Sequence, residues 1–169
     1  KMNDDGPDMD AIEEYIKDES VKGLFCVPKY SNPDGITFSD EVVRRFAALK
    51  PAAKDFRVIW DNAYIVHDLN DTPDKLLNIF DEAKKCGSED MFIEVISTSK
   101  ISFAGGGISA VIASDANIAE IKKRMSIQII SNDKINQLRH ARYFKNLDGI
   151  KAHMKKQAAI LKPKFDAVT

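Results

Sequence analysis

The sequence predicts an α/β fold with a mostly parallel sheet, flanking helices and a helical C-terminal third. Two observations carry this prediction. Over residues 1–114, short apolar runs alternate with helical patterns of about a dozen residues, which is typical of βαβ units. Over residues 115–169, apolar residues recur at helical spacing only. We therefore expect an α/β unit followed by a helical segment, with the boundary near residue 114.

Four apolar runs predict the strands of the sheet. They cover residues 21–27, 57–60, 91–96 and 108–113, and each has the length of a buried strand. Helical patterns separate the first three runs, so these strands are expected to be parallel. The link between the third and fourth runs holds no helix and is too short for a crossover. That pair is therefore expected to be antiparallel.

Capping and helix-breaking residues predict the ends of the helices. Ser39 is a suitable N-cap, and Pro51 ends the helix that follows it. Thr72, with Pro73 at the first helical position, is expected to open the next helix, which Gly87 ends. Three more helices are expected after residue 114. Their apolar positions are Ile118, Ile121, Met125, Ile129, Ile135, Leu138, Ala141, Ile150, Met154, Ala158 and Leu161.

The composition is that of a soluble globular protein. The chain of 169 residues is 44% hydrophobic and 30% charged, which excludes a disordered or collagen-like chain. No run approaches about 18 uninterrupted apolar residues, so no membrane-spanning helix is expected. Cys26 and Cys86 offer neither a disulfide framework nor the spacing of a zinc site. Both are expected to be buried thiols in a reducing compartment, and we expect a cytoplasmic protein.

The net charge of -1 conceals an uneven distribution along the chain. Residues 1–20 hold eight acids against two bases, and residues 121–165 hold twelve bases against two acids. The bases are spread at helical spacing, and no DNA-binding signature accompanies them. A solvated helix face, or a face packed on acidic surface, is therefore favoured over nucleic-acid binding.

Polar clusters follow three of the predicted strands. They are residues 31–35 after the first strand, residues 61–64 after the second and residues 97–100 after the third. In an open α/β sheet, ligands bind beyond the carboxyl ends of the strands, so these clusters are expected to converge at one edge. They include one amine, that of Lys100, and a partly desolvated lysine is able to act as nucleophile or base.

The order N-P-x-G, then D-x-x-Y, then S-x-S-K resembles the fold-type I pyridoxal-phosphate enzymes, specifically the class I aminotransferases. The strings VPKYSNPDGITFSDE, WDNAYIVHDL and STSKISFAGGGIS are most similar to an aspartate-aminotransferase-like subgroup. Each motif alone is weak, because an isolated Asn-Pro-x-Gly is usually a turn and a lone lysine is usually a surface residue. The three motifs together, each after a predicted strand and in this order, carry the resemblance.

The resemblance implies pyridoxal 5′-phosphate as the cofactor and assigns three catalytic residues. Lys100 would form the internal aldimine and move a proton between the substrate Cα and the cofactor. Asp61 would keep the pyridine nitrogen protonated, which makes the ring an electron sink. Tyr64 would hydrogen-bond the phenolic oxygen of the cofactor.

The resemblance also implies residues that only bind the cofactor. Asn32, like Tyr64, would hydrogen-bond the phenolic oxygen of the cofactor. The peptide bond between Asn32 and Pro33 is expected to be cis, as it often is in the family. Ser97 and Ser99 would help to bind the phosphate. The family's arginine, eight residues after the lysine, is replaced here by Ile108, so the phosphate is expected to be neutralised from elsewhere or bound more weakly.

The function implied by the resemblance is transamination between an amino acid and a 2-oxo acid, in a homodimer. Only a middle portion of such an enzyme is matched, so we expect an internal fragment that is inactive alone. Residues 1–114 would belong to the cofactor-binding large domain, and residues 115–169 would lead toward a small domain. An alternative is the aminotransferase-like effector-binding domain of a transcriptional regulator. Decarboxylation or elimination with the same cofactor also stays open.

The three histidines are expected to lie outside this chemistry. His67 follows Tyr64 in a loop and is expected to be incidental. His140 and His153 lie on the basic helices and are expected to be surface or packing residues.

Overall fold

A four-stranded sheet is the centre of the structure, a computed structural model that describes residues 1–168. The elements in chain order are β1 (Met2–Asn3), β2 (Gly6–Pro7), α1 (Met9–Tyr15), β3 (Gly23–Cys26), α2 (Asp40–Ala48), β4 (Arg57–Asp61), α3 (Ile79–Cys86), β5 (Phe92–Ser97), β6 (Ser109–Ala113), α4 (Asp115–Gln128), α5 (Lys134–Phe144) and α6 (Leu147–Asp166). A single 3₁₀ turn, Glu89–Met91, leads into β5. The short strands β1 and β2 form a separate antiparallel pair.

The strand order of the main sheet is β3-β4-β5-β6. Strands β3, β4 and β5 are parallel, with Phe25 opposite Ile59 and Ile59 opposite Ile93. Strand β6 runs antiparallel to β5, with Ser97 opposite Ser109. The α/β fold, the parallel strands and the antiparallel last pair are therefore confirmed.

Local capping explains most of the helix boundaries that the sequence predicts. The Ser39 side chain accepts a hydrogen bond from the backbone N–H of Val42 and caps α2. The Ser114 side chain caps α4 through the N–H of Asn117. Gly87 ends α3 at a φ of 63°, in the left-handed region that glycine adopts without strain.

The predicted helix start at Thr72 is wrong, because α3 begins only at Ile79. The side chain of Asn78 accepts hydrogen bonds from the N–H groups of Phe80 and Asp81, which makes Asn78 the N-cap. The preceding residues are irregular, and the N–H of Asp74 donates to the Tyr30 hydroxyl at 3.2 Å. The N–H of Asp74 is thus bonded to a residue remote in the chain and not to a helical carbonyl.

The main core lies between the sheet and helices α2 and α3. Trp60 is 1% exposed at its centre, and its ring meets those of Phe38, Phe46 and Phe92 edge-on, with centroids 5.4 to 6.3 Å apart. Such edge-to-face pairs are a favourable aromatic arrangement. This core fixes β4, whose next residue beyond Trp60 is Asp61.

The opposite face of the sheet and its two edge strands are much less covered. Because side chains alternate along a strand, Phe25 and Ile59 point away from the aromatic core. Phe25 in β3 is 65% exposed, and Val111 and Ile112 in β6 are each more than 40% exposed. An apolar surface of this kind is normally buried against another part of a protein.

A second, smaller core joins the C-terminal helices to the sheet edge. Ile101, Phe144 and Met154 are buried in it, and Val66 and Ile150 pack against them. The loop after β5 is thus attached to α5 and α6. No helix within residues 1–168 has the length and apolar content needed to cross a bilayer.

The two cysteines differ in environment. Cys26 is partly buried, and desolvation raises the pKa of its thiol. Cys86 is exposed, so the prediction that both thiols are buried is wrong for this residue. It occupies the last turn of α3 beside the helix cap, where its side chain faces solvent.

Candidate active site

The predicted site lies at the carboxyl edge of the parallel strands, on the less covered face of the sheet. β4 ends at Asp61 and β5 ends at Ser97, and the two strands are paired in parallel. Asp61 has the opposite orientation to buried Trp60, since successive side chains alternate. Ser97 shares the face of Asp61, because Val95 is the register partner of Asp61 and lies two residues before Ser97.

A cavity of about 310 Å³ occupies this position. It is lined by Asp61, Ala63, Val95, Ile96, Ser97, Ser99, Lys100 and Ser109. Ligand pockets in proteins are typically roughly 300–1,000 Å³ in volume. Four of the six residues that the sequence predicts for the site therefore line one cavity of suitable size.

Lys100 and Tyr64 are in direct contact. The Lys100 Nζ lies 4.8 Å from the centroid of the Tyr64 ring, a distance typical of a cation–π contact. Tyr64 is therefore connected to the cavity residues by its contact with Lys100. Lys100 itself is in a tight turn, in which the N–H groups of Ile101 and Ser102 both donate to the carbonyl of Thr98. We call residues 98–102 the lysine turn.

Three hydroxyl groups are grouped beside the amine. The Ser97 Oγ and the Ser99 Oγ are 2.7 Å apart, and the N–H of Ser99 donates to Ser97 Oγ. Ser109, directly opposite Ser97 in the β5–β6 register, adds a third hydroxyl to the lining. The sequence motifs do not identify Ser109 as a site residue, because its place in the cavity depends on the pairing of β5 with β6.

Gly107 permits a close approach of chain segments at this point. A Cβ at this position would lie 2.5 Å from the Ser99 Oγ and 2.8 Å from the Ser99 backbone nitrogen. Any side chain at residue 107 would therefore displace Ser99. The small residue keeps the hydroxyl group within reach of the cavity.

Asp61 is held in a short polar turn at the end of β4. Its Oδ1 accepts a hydrogen bond from the N–H of Ala63 at 3.1 Å. The following residue, Asn62, donates its N–H to the carbonyl of Val95 and so continues the pairing with β5. The carboxylate therefore faces the cavity from a rigid strand end.

Asn32 does not line this cavity in the part of the chain that the structure describes. It is exposed, in the loop that follows β3. The peptide bond between Asn32 and Pro33 is cis, as predicted. Within the same loop, the N–H of Ser31 donates to the carbonyl of Ile36 at 2.9 Å.

A buried ion pair ties the Asn32 loop to the loop after β4. The Lys29 amine is almost fully buried and donates to Asp68 Oδ1 at 2.7 Å and to the Ile65 carbonyl at 3.1 Å. The Tyr30 hydroxyl donates to the same Asp68 oxygen at 2.9 Å. Burial raises the pKa of Tyr30 to about 12, so the phenol remains a donor at neutral pH. No sequence pattern predicts this ion pair, because Lys29 and Asp68 are remote in the chain.

Replacing Asp68 with alanine is expected to destabilise the protein by about 2 kcal/mol. The Lys29 ammonium would stay buried with only one acceptor, and breaking a fully buried pair costs about 3–5 kcal/mol. We expect about 2 kcal/mol because the Asp68 side chain is 33% exposed, and solvent weakens an ion pair of this kind. Chemical denaturation of the full-length protein measures the change, with exposed Asp71→Ala as the matched control. Equal stability of the two variants would contradict the assignment.

A second polar pair lies behind the site, on the core side of the sheet. Asn62 Nδ2 donates to Glu94 Oε1 at 2.8 Å, and both residues are buried. They line a cavity of about 220 Å³, and Lys29 is also part of its lining. Burial raises the pKa of Glu94, while the hydrogen bond from Asn62 opposes that shift.

Replacing Glu94 with glutamine is expected to stabilise the protein at pH 8 and to have little effect near pH 4. A carboxyl whose pKa is raised by folding costs stability where it is ionised, above the folded-state pKa. That cost disappears below its ordinary pKa of about 4.3, where the group is protonated in both states. Thermal melts at the two pH values test this result. The quantity compared is the stability of Glu94→Gln minus that of the unsubstituted protein. A smaller difference at pH 8 than at pH 4 would refute the prediction.

Ile108 belongs to an apolar environment next to the site. Its side chain lines a cavity of about 320 Å³ together with Val66, Ile101 and Ile150. Its backbone is fixed to Thr98, whose hydroxyl accepts the Ile108 N–H at 2.9 Å. An isoleucine here thus packs the lysine turn against the helices.

The three histidines all contact the lysine turn, which was not expected from the sequence. His140 is buried, which agrees with the packing role that the sequence left open for it. Their separation from Lys100 in the chain hides the relation. The packing of α5 and α6 brings His140 and His153 to the turn, and the loop after β4 brings His67 there.

Comparisons with known proteins agree with the geometry. The family model described as aspartate amino-transferase matches residues 1–169. An aspartate aminotransferase of Corynebacterium glutamicum is 46% identical over 167 residues, which are 99% of this chain and 39% of that protein. The chain thus spans about 39% of the length of the curated relatives it matches.

Two solved structures extend the comparison to three dimensions. The crystal structure of an aspartate transaminase from Corynebacterium glutamicum matches with a TM-score of 0.94 and 45% identity, over 98% of this chain and 39% of that one. A kynurenine aminotransferase of Pyrococcus horikoshii matches with a TM-score of 0.76 and 24% identity, over 98% of this chain and 40% of that one. The second likeness concerns the fold alone.

Proposed function

The chain belongs to the aspartate amino-transferase family, and from this premise we propose that it is part of a pyridoxal 5′-phosphate-dependent aminotransferase. The reaction is exchange of an amino group between an amino acid and a 2-oxo acid. One observation carries the proposal: the Lys100 amine lies over Tyr64 and shares a cavity with Asp61 and a group of serine hydroxyls. The relatives are named aminotransferases, which favours an enzyme over a regulator's effector-binding domain.

The donor set of the cavity fits this cofactor. Pyridoxal phosphate carries an aldehyde, a basic ring nitrogen and a phosphate group. The cavity offers one amine, one carboxylate and three hydroxyls, on Lys100, Asp61, Ser97, Ser99 and Ser109. The absence of a Cβ at Gly107 preserves the space beside Ser99. Each functional group of the cofactor therefore has a chemically matched partner.

The proton-handling groups are Lys100 and Asp61. The cofactor, when bound, supplies an electron sink that makes the substrate Cα proton acidic. We assign the removal and return of that proton to the Lys100 Nζ, the one amine among the described residues that line the cavity. The Asp61 carboxylate would accept a hydrogen bond from the ring nitrogen and keep it protonated. Tyr64 would orient the amine through the contact at 4.8 Å.

Phosphate binding is assigned to the hydroxyl groups of Ser97, Ser99 and Ser109. Hydroxyls and backbone N–H groups are suitable donors for phosphate oxygens, although they lack the charge of an arginine. Ile108 occupies the position of the family's arginine and is packed in an apolar cavity. We further assign Asn32 to the phenolic oxygen of the cofactor, together with Tyr64.

The proposal includes the wider organisation of the enzyme. Residues 1–114 are assigned to the cofactor-binding large domain and residues 115–169 to the segment that leads to a small domain. The exposed apolar side chains of β3 and β6 support a longer polypeptide, because such side chains are normally covered. We also propose a cytoplasmic homodimer.

An amino-acid screen of the full-length protein that contains this chain tests the proposed reaction. With pyridoxal phosphate and 2-oxoglutarate present, at least one amino acid is expected to be converted catalytically to its 2-oxo acid, with one glutamate formed for each product. An effector-binding domain would bind the cofactor and amino acid without turnover. Release of carbon dioxide would instead indicate decarboxylation. Release of free ammonia together with a 2-oxo acid, without formation of glutamate, would indicate elimination.

A further inference from the structure

The three histidines come from three different elements and contact the same short segment, the lysine turn. His67 lies in the loop after β4, His140 on α5 and His153 on α6. These are all the histidines of the chain. Within residues 1–168, all three contact the turn that carries Lys100.

His140 makes the most extensive of these contacts. It is 5% exposed, and its Nδ1 donates to the carbonyl of Asn136 at 2.9 Å. In the neutral ring this leaves Nε2 as an acceptor. The hydroxyls of Thr98 and Ser102 each lie 3.0 Å from that nitrogen. One imidazole thus contacts the residue two before Lys100 and the residue two after it.

His67 and His153 bind carbonyl groups of the same turn. The His67 Nε2–H donates to the Lys100 carbonyl at 3.2 Å, and the His153 Nε2–H donates to the Ile101 carbonyl at 2.8 Å. Burial, together with the nearby charge of Lys100, lowers the pKa of His67. Backbone carbonyls in a tight turn lack helical partners, and these two rings satisfy them.

Hydrophobic contacts and the neighbouring strand add to the rigidity of the turn. Ile101 is buried against Phe144 and Met154, which lie on the same two helices as His140 and His153. The Thr98 N–H donates to the carbonyl of Ile108 at 2.8 Å, which links the turn to the beginning of β6. The turn is thus attached to α5, α6 and the sheet at once, while the Lys100 side chain stays exposed.

We propose that His140, supported by His67 and His153, is a positioning residue that fixes the lysine turn and thereby the place of the Lys100 amine. The imidazoles touch backbone and hydroxyl groups of the turn, and they act through it. The functional part of this inference rests on the proposed function, since Lys100 matters as the amine that handles the cofactor and the substrate proton. A displacement of a reacting group by about 1 Å can reduce a rate by about 100-fold.

Hydrogen–deuterium exchange on the cofactor-free, full-length protein tests the structural part. His140→Leu removes the acceptor, and His140→Gln retains one in its amide oxygen. Peptides containing Ile101 and Ser102 are expected to exchange at least about tenfold faster in His140→Leu, because their N–H groups lose a rigid turn. His140→Gln should recover most of the protection. Arg142→Ala, an exposed position on the same helix, should leave exchange unchanged.

Two outcomes would overturn the positioning role. One is an exchange rate in His140→Leu equal to that of Arg142→Ala. If His140→Leu fails to fold, Ser102→Ala is used instead, which removes a hydroxyl that contacts both His140 and the Thr98 carbonyl. Unchanged exchange at the turn in that variant would also overturn the proposal.

Kinetics of the cofactor-loaded variants test the functional part. For His140→Leu, kcat is expected to fall about 10- to 100-fold with less than about a twofold change in the amino-acid KM, because proton transfer suffers and substrate binding does not. An equal rise in KM would contradict a role through Lys100. If the unsubstituted protein fails to bind pyridoxal phosphate, the proposed function fails, whereas the exchange result stands independently.

Discussion

Replacing Lys100 with alanine in the full-length protein is expected to abolish the visible absorbance that develops on adding pyridoxal phosphate. Transamination should fall by roughly 10⁴- to 10⁶-fold, the scale seen when a covalent catalytic residue is removed. The reason is geometric, because Lys100 supplies the one amine among the described residues that line the cavity of Asp61 and the serines. A visible-range titration with the cofactor, followed by an assay of 2-oxo acid release, measures both effects.

The matched control for this variant is Lys75→Ala. Lys75 is exposed and lies outside the lining of the cavity, so its loss should leave the absorbance and the rate unchanged. Overall folding of both variants is compared by circular dichroism, since Lys100 is exposed and contributes little burial. An unaltered absorption band in Lys100→Ala would show that another lysine holds the cofactor.

Replacing Trp60 with alanine is expected to destabilise the protein by about 3–5 kcal/mol, the usual cost of removing a buried tryptophan side chain. Trp60 is 1% exposed and has edge-on contacts with three phenylalanine rings. The cavity left behind could not be filled without moving β4. Because Asp61 is the next residue, weaker cofactor binding is expected together with the loss of stability.

Trp60→Phe provides the conservative comparison. It keeps an aromatic ring in the cluster and is expected to cost less than about 2 kcal/mol. Urea denaturation followed by far-ultraviolet circular dichroism compares the midpoints, provided that the slopes agree. If alanine costs no more than phenylalanine at this position, the aromatic cluster does not support the sheet in the way described.

Prediction from the sequence succeeded where the signals were local. The apolar runs predicted the strands, and Ser39 and Gly87 marked helix ends through their own side-chain or backbone properties. The error at Thr72 has the same origin. Its N-cap and proline pattern is locally adequate, but contacts of Tyr30 with the segment before α3 prevail over it.

The supporting parts of the site were not predictable in this way. Ser109 enters the cavity through strand register, and Lys29 meets Asp68 across two loops. His140 and His153 reach the lysine turn because α5 and α6 pack back on Ile101. Motifs near a strand end identify the residues that face a ligand, whereas the residues that hold them in place are set by tertiary packing.

The most direct test of the account is to identify the lysine that holds the cofactor. The full-length protein is loaded with pyridoxal phosphate and reduced with borohydride, which fixes the cofactor to its lysine, and the proteolytic peptides are sequenced by mass spectrometry. The account predicts a phosphopyridoxyl group on Lys100, within the sequence STSKISFAGGG. Modification of a different lysine, or no modification in a preparation that transaminates, would contradict it.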